Sequence, residues 1–213
     1  MRERTSAALW SLTTHPRVAR TTSYVEMDFL NHLLQLDHAA VEQAAQLRTT
    51  SGTAFFALAS AWWIKGPLFV VTAFLRDVKN RVLLLPTAIA VAMSLILADL
   101  ASSGVKEVVD RPRPPRADPG FDAAVTVPPS PSFPSGHATT TFACAVAIAI
   151  LVPKLRWPAL GVAVTVGVAR VYLGVHYSLD VLAGAALGTL IGVAVALLVR
   201  RLAGLRRPAL ATA

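Results

Sequence analysis

The sequence predicts an all-α fold: a multi-pass transmembrane helical bundle of about five spanning helices with an amino-terminal amphipathic interfacial helix. Of the 213 residues, 54% are hydrophobic and 15% are charged, whereas soluble globular chains carry about 25% charged residues. The mean hydropathy is +0.56. The charges are grouped in short clusters between apolar runs, as in proteins whose surrounding solvent is lipid.

Five apolar segments approach the length of about 20 residues that a helix needs to cross a bilayer. They cover residues 53–75, 82–105, 138–152, 158–176 and 179–199. The third is short, and its helix is expected to begin near Pro134. The links at 76–81 and 153–157 are also short, so neighbouring helices are expected to run antiparallel.

The remaining segments complete a four-part domain organisation. Apolar residues recur at helical spacing from about residue 27 to 47, with polar residues between them, which is typical of a helix lying on a bilayer surface. The predicted parts are a disordered polar tail (1–23), the amphipathic interfacial helix (24–50), the transmembrane domain (51–203) and a basic carboxy-terminal tail (204–213).

One connection, between Lys106 and His137, is long and rich in proline. Eight of the chain's fourteen prolines lie in it, so it cannot form a regular helix or strand. Long irregular loops in compact domains are usually functional or disordered. Both ends of this loop carry polar residues suited to chemistry, which favours a functional role.

Polar residues at the predicted helix ends converge on one side of the membrane. The second segment ends near Lys106, and the third opens at His137. The fourth ends with Arg170 and His176, and the fifth opens at Asp180. Because antiparallel neighbours alternate in direction, these four ends are expected to share one membrane face.

The converging residues suit an anion with the chemistry of phosphate. Lys106, Arg113 and Arg170 are cations at a membrane edge, where unpaired charge is costly and usually functional. Ser135 and Gly136 lie at a predicted helix start, where free backbone N–H groups and the helix dipole favour an anion. The sequence therefore predicts a phosphate-binding site.

Two histidines and an aspartate supply reactive groups. If a helix begins near His176, Asp180 lies one turn away and can accept the Nδ1 proton, which leaves Nε2 free as a nucleophile. His137 is then the general acid for the leaving oxygen. Carboxylates are too few for a two-metal site and no metal-binding spacing appears, so neither a metal ion nor another cofactor is expected.

These residues resemble a known family signature in their order and spacing. The chain is similar to the type-2 phosphatidic acid phosphatase superfamily in three motifs: Lys106-x6-Arg113-Pro114, Pro134-Ser135-Gly136-His137 and Arg170-x5-His176-x3-Asp180. The resemblance covers roughly residues 82–199. It implies a membrane phosphatase acting on a lipid phosphate or polyprenyl diphosphate through a phosphohistidine on His176.

The resemblance also assigns roles to the other motif residues. It implies that Asp180 supports the nucleophile, that His137 is the acid, and that the phosphate is held by Lys106, Arg113, Ser135, Gly136 and Arg170. One position departs from the family pattern, since Ala169 stands where a serine is usual. A second Arg-Pro pair begins at Arg111, but the spacing from Lys106 selects Arg113, and Arg111 is interpreted as a surface charge.

Charge distribution predicts which way the site faces. Nine basic residues lie on the side opposite the site: Arg76, Lys79, Arg81, Lys154, Arg156, Arg200, Arg201, Arg206 and Arg207. By the positive-inside tendency, that side is cytoplasmic and the active site extracytoplasmic in the cell membrane. The four arginines of the amino-terminal tail favour the opposite orientation.

The predicted partners are a lipid phosphate substrate and the bilayer. The net charge of +8 does not indicate nucleic acid, because no binding motif or interleaving of aromatic and basic residues accompanies it. The oligomeric state and the particular lipid stay open. Two alternative functions stay open as well: a lipid phosphotransferase, and a catalytically inactive lipid-binding membrane scaffold, which only Ala169 favours.

Overall fold

The structure is a computed structural model that describes residues 17–61 and 81–204, and in these ranges it contains helices and no strand. The helices are α1 (Arg17–Gln46), α2 (Thr50–Ala59), α3 (Arg81–Val109), α4 (Pro114–Ala117), α5 (Gly136–Leu151), α6 (Arg156–Tyr172) and α7 (Ser178–Leu202). A single 3₁₀ turn, Pro153–Leu155, precedes α6. The predicted all-α helical bundle is confirmed.

Helix α5 is the centre of the bundle. Its sequence, GHATTTFACAVAIAIL, is rich in small and apolar side chains, and ten of its sixteen residues are buried. Ser135 caps the first turn, because its side-chain oxygen faces the amide of Ala138. Apolar residues of α3, α6 and α7 pack around α5 in one continuous core. The helix therefore holds its neighbours at fixed positions relative to the site.

A glycine stripe on α7 allows this helix to lie against α5 at backbone distance. Gly184, Gly188 and Gly192 recur every four residues and are buried. A Cβ atom at Gly188 would collide with the carbonyl oxygen of Thr139, and one at Gly192 would collide with that of Ala143. Small residues at this spacing are typical of close helix packing in membranes.

The outer surfaces of α3 and α7 are apolar. Among the described residues, two stretches are long and apolar enough to cross a membrane: Leu85–Ala117, which contains most of α3, and Ser178–Leu202, which is α7. Large apolar side chains point outward on both, including Leu85, Leu100, Leu182 and Leu190, each at least 64% exposed. These faces suit contact with lipid chains rather than water.

The number of crossings stays a prediction. Helices α5 and α6 have 16 and 17 residues, fewer than the roughly 20 that span a bilayer without local thinning. The first predicted span, residues 53–75, begins in α2, and from residue 62 onward it lies outside the described residues. Residues 1–16 of the predicted amino-terminal tail (1–23) and residues 205–213 of the predicted carboxy-terminal tail (204–213) lie outside them as well.

Helix α1 differs from its prediction at both ends. It begins at Arg17, inside the predicted tail, and ends at Gln46. A new helix starts at Thr50 because the Thr49 side chain accepts a hydrogen bond from the Gly52 amide, at 3.1 Å, and caps it. Within the segment predicted as an interfacial helix, 24–50, helix α1 ends at Gln46, and α2 begins at the last residue of the segment, Thr50.

The compact units of the chain also differ from the predicted domains. The chain divides between Leu36 and Asp37, inside α1, whereas composition placed the start of the main domain at residue 51. The second unit begins within α1 because residues of this helix from Asp37 onward are buried in it: Asp37 and Val41 are 4% and 2% exposed. In the first unit, Phe29 and Leu30 expose large apolar side chains.

The glycine stripe makes a stability prediction. Gly188→Ala is expected to lower the free energy of unfolding by about 1–3 kcal/mol, because α5 and α7 must separate to admit the methyl group. The measurement is thermal unfolding in detergent with a thiol-reactive dye, since Cys144 is the only cysteine and is buried in the core. Gly161→Ala on α6 is the control, because a Cβ there meets no atom within 4 Å. Equal melting temperatures for the two variants would contradict the packing argument.

Candidate active site

Hydrogen bonds gather the three sequence motifs at one end of the bundle. The amide of Ser135, at the start of α5, donates to the backbone carbonyl of Asp180, in the first turn of α7, at 2.9 Å. Lys106, in the last turn of α3, donates to the carbonyl of Pro134 at 2.7 Å. Arg113 donates to the carbonyl of Val175 at 2.8 Å. The convergence expected from helix direction is therefore observed.

His176 lies in the turn between α6 and α7 and is 2% exposed. Its Nε2 atom is 3.0 Å from Nη1 of Arg113. Burial, together with the nearby charges of Arg113 and Arg170, lowers the pKa of the imidazole to about 3, although Asp180 opposes the shift. The ring is therefore neutral at neutral pH, which is the protonation state a nitrogen nucleophile needs.

The link between His176 and Asp180 differs from the expected single helical turn. Helix α7 begins at Ser178, so His176 precedes it, and Tyr177 occupies the cap position. The Nδ1 atom of His176 lies 3.4 Å from Oδ2 of Asp180. Nδ1 has no well-aligned hydrogen bond among the described residues. The carboxylate faces the ring, but at the outer edge of hydrogen-bond distance.

The buried carboxylate of Asp180 is held by several donors. Oδ1 accepts from Arg111 at 2.7 Å. Oδ2 accepts from the Ser132 hydroxyl in a short hydrogen bond and from the Tyr177 amide at 2.9 Å. These bonds fix the carboxylate in one orientation, with Oδ2 toward the His176 ring.

All three nitrogens of the Arg113 guanidinium group donate hydrogen bonds. It donates to His176 Nε2, to the carbonyls of Val175, Ser130 and Pro131, and to the Ser130 hydroxyl, at 2.8–3.3 Å. The side chain is buried, at 3% exposure. A phosphate oxygen bound by Arg113 would therefore take the place of one of these acceptors. If it takes the place of His176 Nε2, the phosphate lies directly beside the nucleophile.

Lys106 and Arg170 contribute two further cations in different ways. The Lys106 ammonium donates to the carbonyls of Pro131 and Pro134 at 2.8 and 2.7 Å, and lies 3.4 Å from that of Ser132. Arg170 is buried, and its Nε atom has no hydrogen-bond partner among the described residues. Of the three motif cations, Arg170 is therefore the one with a buried donor available to an anion in the part of the chain that the structure describes.

Ser135 and His137 stand at the amino terminus of α5. The Ser135 amide is bound to Asp180 and so is not free for an anion, contrary to the expectation for that group. Gly136 opens the helix, and a Cβ there would lie 3.4 Å from the Ser102 hydroxyl. His137 is half-buried in the first turn of α5, at the same end of the bundle as His176.

Ala169 and Gly174 shape the chain on either side of Arg170. Ala169 is fully buried in an apolar cluster with Leu173 and Val175, which explains how a residue without a hydroxyl fits there. Gly174 has a φ of +74°, and a Cβ at this position would collide with the Arg48 side chain. A glycine is required here because the chain turns sharply from α6 toward His176.

Sequence reasoning missed several residues at the site. Arg111, interpreted as a surface charge, bridges the carboxylates of Asp37 and Asp180 at 2.8 and 2.7 Å. Ser132 binds Asp180 directly. Two features of the sequence pointed to these contacts: the second Arg-Pro pair, at Arg111, and Asp37 in the amphipathic helix. Neither feature identifies its partner, because the contacts join positions far apart in the chain.

The grouping of His, Cys, Asp and Glu side chains indicates whether the described residues could bind a metal ion. Within 17–61 and 81–204, no three His, Cys, Asp or Glu side chains are grouped so that they could hold a metal ion. The charged side chains nearest His176 are Arg113 and Asp180. The arrangement can therefore hold an anion against a neutral imidazole by means of side-chain cations.

Comparison with known proteins assigns the family. A family model described as the PAP2 superfamily matches residues 86–203, more than half of the chain. The chain belongs to the PAP2 superfamily. This confirms the resemblance carried by the three motifs. The PAP2 match contains α5, α6 and α7, the proline-rich loop and nearly all of α3, whereas α1 and α2 lie before it.

Three PAP2 relatives show the extent of the similarity. Decaprenylphosphoryl-5-phosphoribose phosphatase of Mycobacterium tuberculosis is 30% identical over 164 residues, 75% of this chain and 84% of that protein. Lipid A 1-phosphatase of Rhizobium etli is 47% identical over 57 residues. The solved transmembrane PAP2 type phosphatidylglycerolphosphate phosphatase of Bacillus subtilis is 26% identical, with a TM-score of 0.64, over 83% of this chain and 90% of that one.

The coverage differs strongly among these relatives. The chain spans a quarter of the length of the rhizobial protein that it matches, and that segment is 27% of this chain. The similarity to the Bacillus structure extends over most of both chains. The PAP2 fold is therefore shared over most of this chain, and with it a membrane setting.

Proposed function

We propose that the protein is an integral-membrane phosphatase that hydrolyses a lipid phosphate or polyprenyl diphosphate through a phosphohistidine intermediate on His176, without a metal ion. The observation that carries this proposal is the contact of Arg113 Nη1 with His176 Nε2 at 3.0 Å. A phosphoryl group bound by this guanidinium lies against the nitrogen that attacks it. The imidazole is neutral and therefore has a lone pair to donate.

A lipid substrate is supported by two independent observations. The relatives bear the names of phosphatases for decaprenylphosphoryl-5-phosphoribose, lipid A and phosphatidylglycerolphosphate, all of which are lipid phosphates. In this chain, the outward faces of α3 and α7 carry large exposed apolar side chains. A substrate with its acyl or prenyl chain in the bilayer would present its phosphate at the membrane edge, and the motif residues gather at one end of the bundle.

The first step transfers the phosphoryl group to His176. Nε2 attacks phosphorus and forms a P–N bond while the bond from phosphorus to the leaving oxygen breaks. The leaving oxygen takes a proton from His137, acting as general acid. Asp180 stabilises the positive charge on the modified ring through Nδ1. The product is a lipid alcohol, or a polyprenyl monophosphate if the substrate is a diphosphate.

The second step restores the free enzyme. His137, now neutral, accepts a proton from a water molecule whose oxygen attacks phosphorus, and the P–N bond breaks. Inorganic phosphate leaves and His176 is neutral again. Lys106, Arg113 and Arg170 hold the phosphate oxygens, together with the Ser135 hydroxyl and the Gly136 amide at the start of α5, since charge neutralisation and positioning carry most of phosphoryl transfer.

The nucleophile assignment is tested by phosphate release from purified protein. Phosphatidate, phosphatidylglycerophosphate and a polyprenyl diphosphate in detergent micelles are each incubated in EDTA, and release is expected from at least one. His176→Ala is expected to abolish release, because it removes the nitrogen that attacks phosphorus. His32→Ala is the control, since His32 is exposed on α1.

Unimpaired release by the His176 variant would remove the assignment, and loss of release in EDTA would contradict metal independence. Release that requires an added lipid alcohol would indicate a phosphotransferase.

The role of His137 is tested by changing the leaving group. His137→Ala is expected to slow release from an alkyl phosphate by about 10²–10⁴-fold, because an alkoxide leaves poorly without a proton. On p-nitrophenyl phosphate, whose leaving group needs no protonation, the same variant is expected to retain most of the rate of the first step, measured as the initial burst of p-nitrophenol. An equal loss in the first-step rate on both substrates would contradict the acid assignment and indicate a phosphate-binding role.

We infer that the site faces the extracytoplasmic side. Lys154 and Arg156 precede or open α6, and Arg200 and Arg201 lie in the last turn of α7, at the end of the bundle opposite to His176. Basic residues favour the cytoplasmic side. The site would then receive lipids of the outer leaflet.

Thiol labelling tests this orientation. In a Cys144→Ala background, Asp118→Cys places a thiol on the exposed loop at the site end, and Lys154→Cys places one at the opposite end. A membrane-impermeant maleimide on intact cells is expected to label the first variant and spare the second, and lysed cells provide the control for reactivity. The reverse pattern would place the site in the cytoplasm.

A further inference from the structure

An aspartate of α1 is buried beside the active site. Asp37 is 4% exposed, and both of its carboxylate oxygens are used. Oδ1 accepts from the Leu179 amide in the first turn of α7 at 2.8 Å, and Oδ2 accepts from Arg111 at 2.8 Å. A buried carboxylate is costly unless it is paired and hydrogen-bonded in this way. Its position near the helix start also matches the dipole of α7.

Arg111 joins this aspartate to the one beside the nucleophile. One Nη atom donates to Asp37 and the other to Oδ1 of Asp180, at 2.8 and 2.7 Å. The guanidinium carbon lies 4.0 Å from the centroid of the Tyr177 ring. Both ends of the guanidinium are therefore bound to carboxylates, and its flat face is stacked on an aromatic ring. This fixes Arg111 more firmly than a single ion pair would.

The bridge decides which oxygen of Asp180 faces His176. Arginine readily forms two parallel bonds to one carboxylate. Here Asp37 takes one of the two donors, so Arg111 contacts only Oδ1 of Asp180. Oδ2 remains turned toward Ser132, the Tyr177 amide and Nδ1 of His176. Without Asp37, Arg111 could bind both oxygens of Asp180 and compete with the imidazole for Oδ2.

We propose that Asp37 is a positioning residue for the nucleophile, acting through Arg111 and the first turn of α7. It keeps Asp180 oriented to support the ring of His176 during phosphoryl transfer. Asp37 lies before the residues that match the family, 86–203, so α1 contributes to the site from outside the matched region. This proposal rests on the proposed phosphatase function.

The test compares the kinetics of matched variants. Asp37→Asn keeps the shape of the side chain and removes its charge, and Glu42→Gln removes a charge from an exposed position of the same helix. Asp37→Asn is expected to lower kcat by roughly tenfold to a hundredfold, by analogy with the loss found when a hydrogen-bond partner of a metal ligand is removed, with KM changed by less than about twofold. Glu42→Gln is expected to match the unmodified protein.

A double variant tests whether Asp37 acts through Arg111. Arg111→Gln is expected to lower kcat as well, and Asp37→Asn combined with Arg111→Gln is expected to be no slower than Arg111→Gln alone. Additive losses would show two independent effects and overturn the pathway through Arg111. A kcat for Asp37→Asn equal to that of Glu42→Gln, or a raised KM with unchanged kcat, would overturn the positioning role.

Two further measurements separate this proposal from folding and from the proposed function. Thermal unfolding reported by Cys144 shows whether each variant folds; if Asp37→Asn does not, Arg111→Lys replaces it, since a lysine cannot bridge two carboxylates with one planar group. If the unmodified protein releases no phosphate, the proposed function fails. The positioning is then read from side-chain ¹⁵N signals of His176, assigned with His176→Gln. Asp37→Asn should shift them and Glu42→Gln should not; unchanged signals would overturn the proposal.

Discussion

The buried carboxylate of Asp180 is the group on which the site depends. A buried charge is tolerated only when donors surround it. Here the donors come from distant parts of the chain: Arg111 and Ser132 in the proline-rich loop, and the amide of Tyr177 before α7. The backbone carbonyl of the same residue accepts from Ser135 at the start of α5. Satisfying one residue therefore fixes the loop and two helix ends together.

The composition of the loop explains why cations accompany it. Proline has no amide proton, so a proline-rich segment cannot satisfy its own carbonyls through regular structure. Lys106 binds the carbonyls of Pro131 and Pro134, and Arg116 binds those of Pro128 and Pro129. These basic side chains therefore stabilise the path of the loop in addition to any role toward phosphate. In the proposed mechanism Lys106 serves both roles with one ammonium group, so phosphate binding there would be coupled to the position of the loop.

The sides of the helical bundle and the ends of its helices suit different surroundings. The apolar exteriors of α3 and α7 suit lipid, while the helix ends gather charges that lipid would exclude. Inside the bundle, association of helices gains little from burying apolar surface away from lipid, so close packing of small residues matters more. The stripe formed by Gly184, Gly188 and Gly192 meets this need. It also brings the start of α7 against the start of α5, where the two histidines lie.

The sequence by itself determined the all-α membrane fold and the family. It also determined the three motifs and predicted that they gather at one end of the bundle. Hydropathy, motif spacing and alternating helix direction are local properties, so they can be read without a structure. Helix ends were less accurate, as at α1 and at the start of α7, because single hydrogen bonds such as the Thr49 cap decide them. Only the tertiary structure decided the bridge from Asp37 through Arg111 to Asp180. That contact depends on how α1 is rotated about its axis and on the path of an irregular loop, and no local pattern encodes either.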